Sequence, residues 1–382
     1  MTTWSVVKDD TRQKRRRELI PRIALLACLA LVVVSLGMAF SPGSPKEPAA
    51  PPFSEQARSA ALADAMRLRA AGEELGRSTA GGGQPAVART VSLLTTQARA
   101  LLVPGQDGTA SLPAPEAPSS AALSGPPSGA APTSAPLPAT AAALAAELEA
   151  SASQRLADAT VADGGIARLL AAVGTAQLLQ ASSLAAAAGA PAPALTDPAA
   201  PQLSGACPSA PPSPSAASSP AAASEGPDTG PASLPGALAA TVRTELEAVY
   251  GYQVALTRLS GDAAVSASQQ LASHEALAAG AEALSRMHCA APPAREAGYT
   301  MTMEFLASPA AGLGGLEASS LTVYGDLVAL SEGQTRQWAI SGLVGAARRA
   351  ALWGADTGVL PGLAADPEGF PELPAPSLTP SP

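Results

Sequence analysis

The stretch Leu238–Gly261, LAATVRTELEAVYGYQVALTRLSG, decides the fold class. Leu238, Val242, Glu245, Val249, Tyr252, Leu256 and Leu259 follow one another in alternating steps of four and three, the spacing of a single seam along a packed helix. The spacing predicts a helix from about Pro235 to Leu259, with the Glu245 carboxylate inside its apolar seam. Reading outward, Ser260-Gly261 marks a tight turn. A second helix is expected from about Ala263 to His288, with Leu271, His274, Ala278, Ala281 and Leu284 on one side. Residues 289–312 form a long connection carrying Pro292 and Pro293. A third helix, about Leu313 to Leu330, presents Leu316, Ser320, Val323, Leu327 and Leu330, with Glu317 at its flank. A fourth, about Gln334 to Trp353, presents Ile340, Leu343, Val344 and Ala347.

A connection as long as 289–312 lets the chain return along the bundle. Four helices with one such crossover define the ferritin-like topology rather than a simple up-and-down one. The expected fold class is therefore all-α, with a ferritin-like four-helix bundle over 234–354. The segments Leu238–Gly261, LASHEALAAGAEAL (Leu271–Leu284), LEASSLTVYGDLVAL (Leu316–Leu330) and LVGAARRAALWGA (Leu343–Ala355) together resemble a ferritin-like domain of unknown function found in exported proteins of high-GC bacteria. The resemblance covers the last third of the chain. It rests on a glutamate five residues before the tyrosine of the AVYGY run, a histidine on the second helix, a glutamate on the third, and an Arg-Ala-Ala-x-Trp ending. It implies a fold and no established reaction.

A two-metal carboxylate centre in such a bundle needs inward carboxylates and Glu-x-x-His pairs, because two metals take about six ligands from facing helices. Glu245, His274 and Glu317 are the candidate ligands, for iron or manganese. No Glu-x-x-His exists in the chain, and the fourth helix offers no carboxylate beyond Glu332 near its start. The other reading of the same residues is a buried polar cluster, with Glu245 held by His274 or by Arg348. His288 suits a helix C-terminus, and Tyr250, Tyr252 and Tyr324 read as core or interface aromatics.

Upstream, residues 53–189 form an Ala-rich helical region. Candidate helices cover Ser54–Arg77, Val87–Val103, Thr140–Thr160 and Ile166–Ala188, around a Pro/Ser-rich insert at 104–138 that is expected to be disordered. Residues 41–52 and 190–233 read as linkers, and 355–382 as a disordered Pro-rich tail. Only 3% of the residues are aromatic, so the expected cores are thin. Asn is absent and no Lys follows Lys46, a bias that matches a high-GC coding sequence.

Residues 1–22 are basic although the whole chain carries a net charge of −8, which makes the remainder strongly acidic. An acidic body repels phosphate backbones, so no nucleic-acid partner is expected. Residues 23–40, IALLACLALVVVSLGMAF, are uncharged and long enough for a short membrane span. The preceding Arg cluster stays in the cytoplasm and sends the body outside. Cleavage of this segment as a secretion signal, before Phe40, is the alternative. Arg16-Arg17 resembles a twin-arginine export signal but also fits a generic basic flank. Cys28 lies too early in the apolar run for a lipoprotein box.

Of the three cysteines, Cys28 falls in the apolar segment, leaving Cys207 and Cys289. In an oxidising compartment these are expected to form a disulfide, because Cys289 follows the second helix and Cys207 lies in the linker that enters the first. Two free thiols are the alternative. The function expected from all this is a non-enzymatic, membrane-tethered or exported envelope protein, anchored through its N-terminal segment, whose bundle is structural or binds an unknown protein partner. No cofactor is expected. The alternative is a metal-binding or weak redox protein holding iron or manganese.

Overall fold

Alanine governs how this chain packs, since a helix face of Ala lets a neighbouring helix approach closely. The computed structural model describes residues 51–78, 85–102, 137–191, 200–205, 207 and 233–374. Among these residues it has nine α-helices and no strand. They are α1 (Phe53–Ser78), α2 (Pro85–Leu101), α3 (Ala141–Ala159), α4 (Gly164–Ala187), α5 (Leu234–Leu256), α6 (Gly261–Met287), α7 (Met303–Ala307), α8 (Pro309–Leu330) and α9 (Gly333–Leu352). The expected segments 1–22 and 23–40, with Cys28, lie outside the described residues. So do all but the last positions of the 104–138 insert and most of the 190–233 linker.

Local chemistry sets the ends of these helices. Thr140 caps α3 by accepting from the Ala143 N–H, and Ser233 caps α5 by accepting from Gly236, with Pro235 in the first turn. The third expected helix starts earlier than apolar spacing indicates, at Pro309, because proline suits a first turn that lacks an internal bond partner. The long connection is not featureless. Thr302 caps the short helix α7 within it.

Consecutive helices pair as α1–α2, α3–α4, α5–α6 and α8–α9. Helix α1 also meets α3, α2 meets α4, α5 meets α8, and α6 meets α9. The two helical regions are not separate bodies. From Pro52 onward the chain forms one compact unit, in which α4 packs on both α8 and α9. Every residue from Leu170 to Leu178 is buried, as befits a helix enclosed on all sides. By length and composition α4 could cross a membrane, but most of it is covered by its neighbours.

Of the C-terminal segment 355–382 expected to be disordered, residues 355–374 are described and 375–382 lie outside the described residues. Residues 355–374 run over the helices as an ordered strap, with a 3-10 turn at Pro367–Gly369. Leu360 is buried, and Val359, Leu363, Phe370 and Leu373 pack against the core. Side chains from the Ala-rich region satisfy its backbone. Arg168 donates to the Gly362 carbonyl at 2.7 Å, Gln97 to Val359 at 3.3 Å, and Arg99 to Phe370 and Pro371 at 2.7 and 3.0 Å. The segment has no apolar periodicity because it is no helix, and its order comes from these distant donors.

Candidate buried charge cluster

Glu245 projects from α5 and Glu317 from α8, with 0% and 1% of their surface exposed. His274, on α6, lies between them at 1% exposure. Its Nδ1 stands 2.8 Å from Glu245 Oε2, and its Nε2 stands 2.8 Å from Glu317 Oε1. An ionised carboxylate only accepts, and a neutral imidazole carries a single N–H, so both contacts are satisfied together by the imidazolium. Burial alone would depress the His274 pKa. The bonds to Glu245 and Glu317 outweigh it and hold the value above the ordinary 6.5.

A second cation enters from α9. Arg349 donates through Nε to both oxygens of Glu317 at 2.9 Å. Burial would raise the Glu317 pKa, but the His274 bond and the Arg349 charge together bring it below its usual value. Two carboxylates thus face an imidazolium and a guanidinium, and the cluster is neutral as a whole. The sequence reading held Glu245 by His274 or by Arg348, and His274 is bonded to it. The guanidinium bonded to Glu317 is that of Arg349, a neighbour the sequence reading did not single out.

Two tyrosines complete the arrangement. Tyr252 of α5 donates to Glu317 of α8 at 2.7 Å, and Tyr324 of α8 donates to Glu245 of α5, also at 2.7 Å. Each tyrosine follows its own helix's glutamate by seven residues, two turns on, and serves the other helix's glutamate. Burial and the adjacent carboxylates raise both phenol pKa values, so both remain protonated donors. Trp353, just past the end of α9, donates to the Tyr252 oxygen at 2.8 Å. Sequence reasoning assigned these tyrosines to packing alone. The repeated Glu-to-Tyr interval of seven on two facing helices was the signal that marks their role.

The remaining candidates lie elsewhere. Tyr250 faces Tyr299, with ring centres 5.7 Å apart. His288 Nε2 meets the Thr335 hydroxyl at 2.8 Å. Cys207 and Cys289 are joined as a disulfide with a Cα separation of 5.1 Å, at the far end of α6 from its turn with α5. Cys289 has φ +58°, so the chain turns sharply there as it leaves the helix.

The donor set does not fit iron or manganese. Only two carboxylates enter the cluster, both imidazole nitrogens are committed to them, and Arg349 keeps a fixed positive charge on one. Among the described residues no group of three or more His, Cys, Asp and Glu side chains is arranged to hold a metal ion. A metal here would have to displace His274 and share Glu317 with a guanidinium.

A family model described as a domain of unknown function (DUF4439) matches residues 237–365. The matched stretch contains Glu245, Tyr252, His274, Glu317, Tyr324, Arg349 and Trp353, and it runs into the strap as far as Ala365, taking in Leu360 and Gly362. Helices α1 to α4 lie outside it. No curated protein matches the chain. No solved structure matches it.

Proposed function

We propose that the chain is a non-enzymatic envelope protein, held at or exported across a membrane by residues 23–40. Its α5, α6, α8 and α9 form a ferritin-like four-helix bundle that serves a structural or protein-binding role. The observation that supports this most is the neutral, mutually bonded cluster at Glu245, His274, Glu317 and Arg349. The place where a bundle of this kind would carry metal ligands is filled by protein cations and phenols. The bonds that would activate a ligand instead tie four helices together. The Cys207–Cys289 disulfide suits an oxidising compartment, in line with a body outside the cytoplasm.

Two measurements on the full chain, purified from membranes or medium, test the reading. Metal analysis after gel filtration is expected to find less than one equivalent of iron or manganese per chain; two retained equivalents would overturn it. A reporter fused after Pro382 is expected to be active only outside the cytoplasm. Activity confined to the cytoplasm contradicts the topology.

A further inference from the structure

A cleft of about 590 Å³ opens where the long connection crosses α5 and α8, a volume in the range of ligand sites. Met301, Phe305 and Leu316 give it an apolar lining, and Glu247 and Glu304 contribute carboxylates. Neither carboxylate is ion-paired among the described residues, whereas Glu282 on the neighbouring α6 holds both Arg286 and Arg295. The cleft is thus an apolar surface with unmatched negative charge. Thr300 and Met301, on its wall, make no backbone–backbone hydrogen bond among the described residues. Their N–H and C=O groups are available to a second main chain, which a hydrocarbon tail would not use.

We propose that this cleft docks an extended peptide segment of a partner protein in which Lys or Arg stands among apolar residues. The apolar side chains of the peptide meet Met301, Phe305 and Leu316, and its cations meet Glu247 and Glu304, which line the same cleft. The peptide's own main chain bonds to that of Thr300 and Met301. The proposal rests on the protein-binding reading given above and names the surface and chemistry of the partner.

Gly315 lies in the cleft, and a Cβ added there meets nothing within 4 Å, so a side chain can be grown into the cleft without disturbing the helix. The test probes the full chain with an array of octapeptides that combine Lys or Arg with Leu, Met or Phe in varied order. A matching array has Glu in place of the basic residues. Binding to the basic array is expected. It should weaken at least tenfold in a Glu247→Lys/Glu304→Lys variant, and again in Gly315→Met, where the charges remain but the volume is filled. Circular dichroism melts of both variants are expected to match the parent. Equal binding to the acidic array, no binding to either, or binding unchanged in both variants would overturn the proposal. So would self-association of the chain abolished by Gly315→Met, since the occupant would then be a second copy. Failure on the arrays sinks the docking proposal alone. Retained metal sinks the scaffold reading, and it is read from a separate measurement.

Discussion

At the residue scale, a single imidazolium holds two buried carboxylates apart. Replacing His274 with Ala leaves Glu245 and Glu317 facing each other without the cation between them. The expected loss is about 3–5 kcal/mol of unfolding free energy in urea titration, the range for breaking a buried ion pair on one side. A change below about 1 kcal/mol would mean that the cluster contributes little to holding the helices. The two shifted groups act in opposite directions with pH. His274 titrates above 6.5 in the folded chain, so its contribution is full below that value and falls as pH rises through its folded pKa. Glu317 titrates below 4.5, so its contribution is present above 4.5 and is lost as pH falls through its folded pKa. Stability is expected to peak between mildly acidic and neutral pH. Thermal melts across pH check this, and the alkaline decline should flatten in His274→Ala.

At the element scale, close helix approach depends on residues without bulk. A Cβ on Gly342 of α9 would lie 2.0 Å from Tyr324 Cε1, inside the ring that donates to Glu245. Gly342→Ala is therefore expected to destabilise by about 1–3 kcal/mol despite the better helix propensity of Ala, because the tyrosine must shift. Gly76, near the end of α1, has nothing within 4 Å of an added Cβ. Gly76→Ala is expected to stabilise by about 0.5–1 kcal/mol. Denaturant unfolding of the pair distinguishes propensity from packing, and a stabilised Gly342→Ala would contradict the geometry.

At the scale of the whole molecule, the strap and the disulfide fasten segments that the helices alone leave loose. Ending the chain at Ala355 removes buried Leu360 and frees Gln97, Arg99 and Arg168 from its carbonyls. Burying one leucine contributes about 1.5–3 kcal/mol, so the truncated chain is expected to unfold at least about 2 kcal/mol more easily. An unchanged denaturation midpoint would show the strap to be dispensable. The Cys207–Cys289 bridge spans a sequence separation of 82. In the chain-entropy view, opening it costs about 4–5 kcal/mol, and less where the loop is already constrained. Mass spectrometry of non-reduced peptides is expected to recover the linked pair, and Cys207→Ser should lower the midpoint of unfolding.

The sequence by itself determined the helices. Ala supplies propensity throughout, and the four-three spacing from Leu238 to Leu259 requires a helix with Glu245 on its buried side. His274 and Glu317 were legible as its companions because polar residues stand out on apolar faces. Tertiary structure decided which cation answers them. Arg348 and Arg349 are equivalent in composition, and only the rotation of α9 against α8 brings Arg349 to Glu317. The reciprocal tyrosine bonds likewise depend on the relative register of α5 and α8, which helical spacing within either one does not fix. The strap shows the same limit in another form. Residues 355–374 have no repeating apolar pattern, and their order depends on donors at Gln97, Arg99 and Arg168 that lie nearly two hundred or more positions away in the chain.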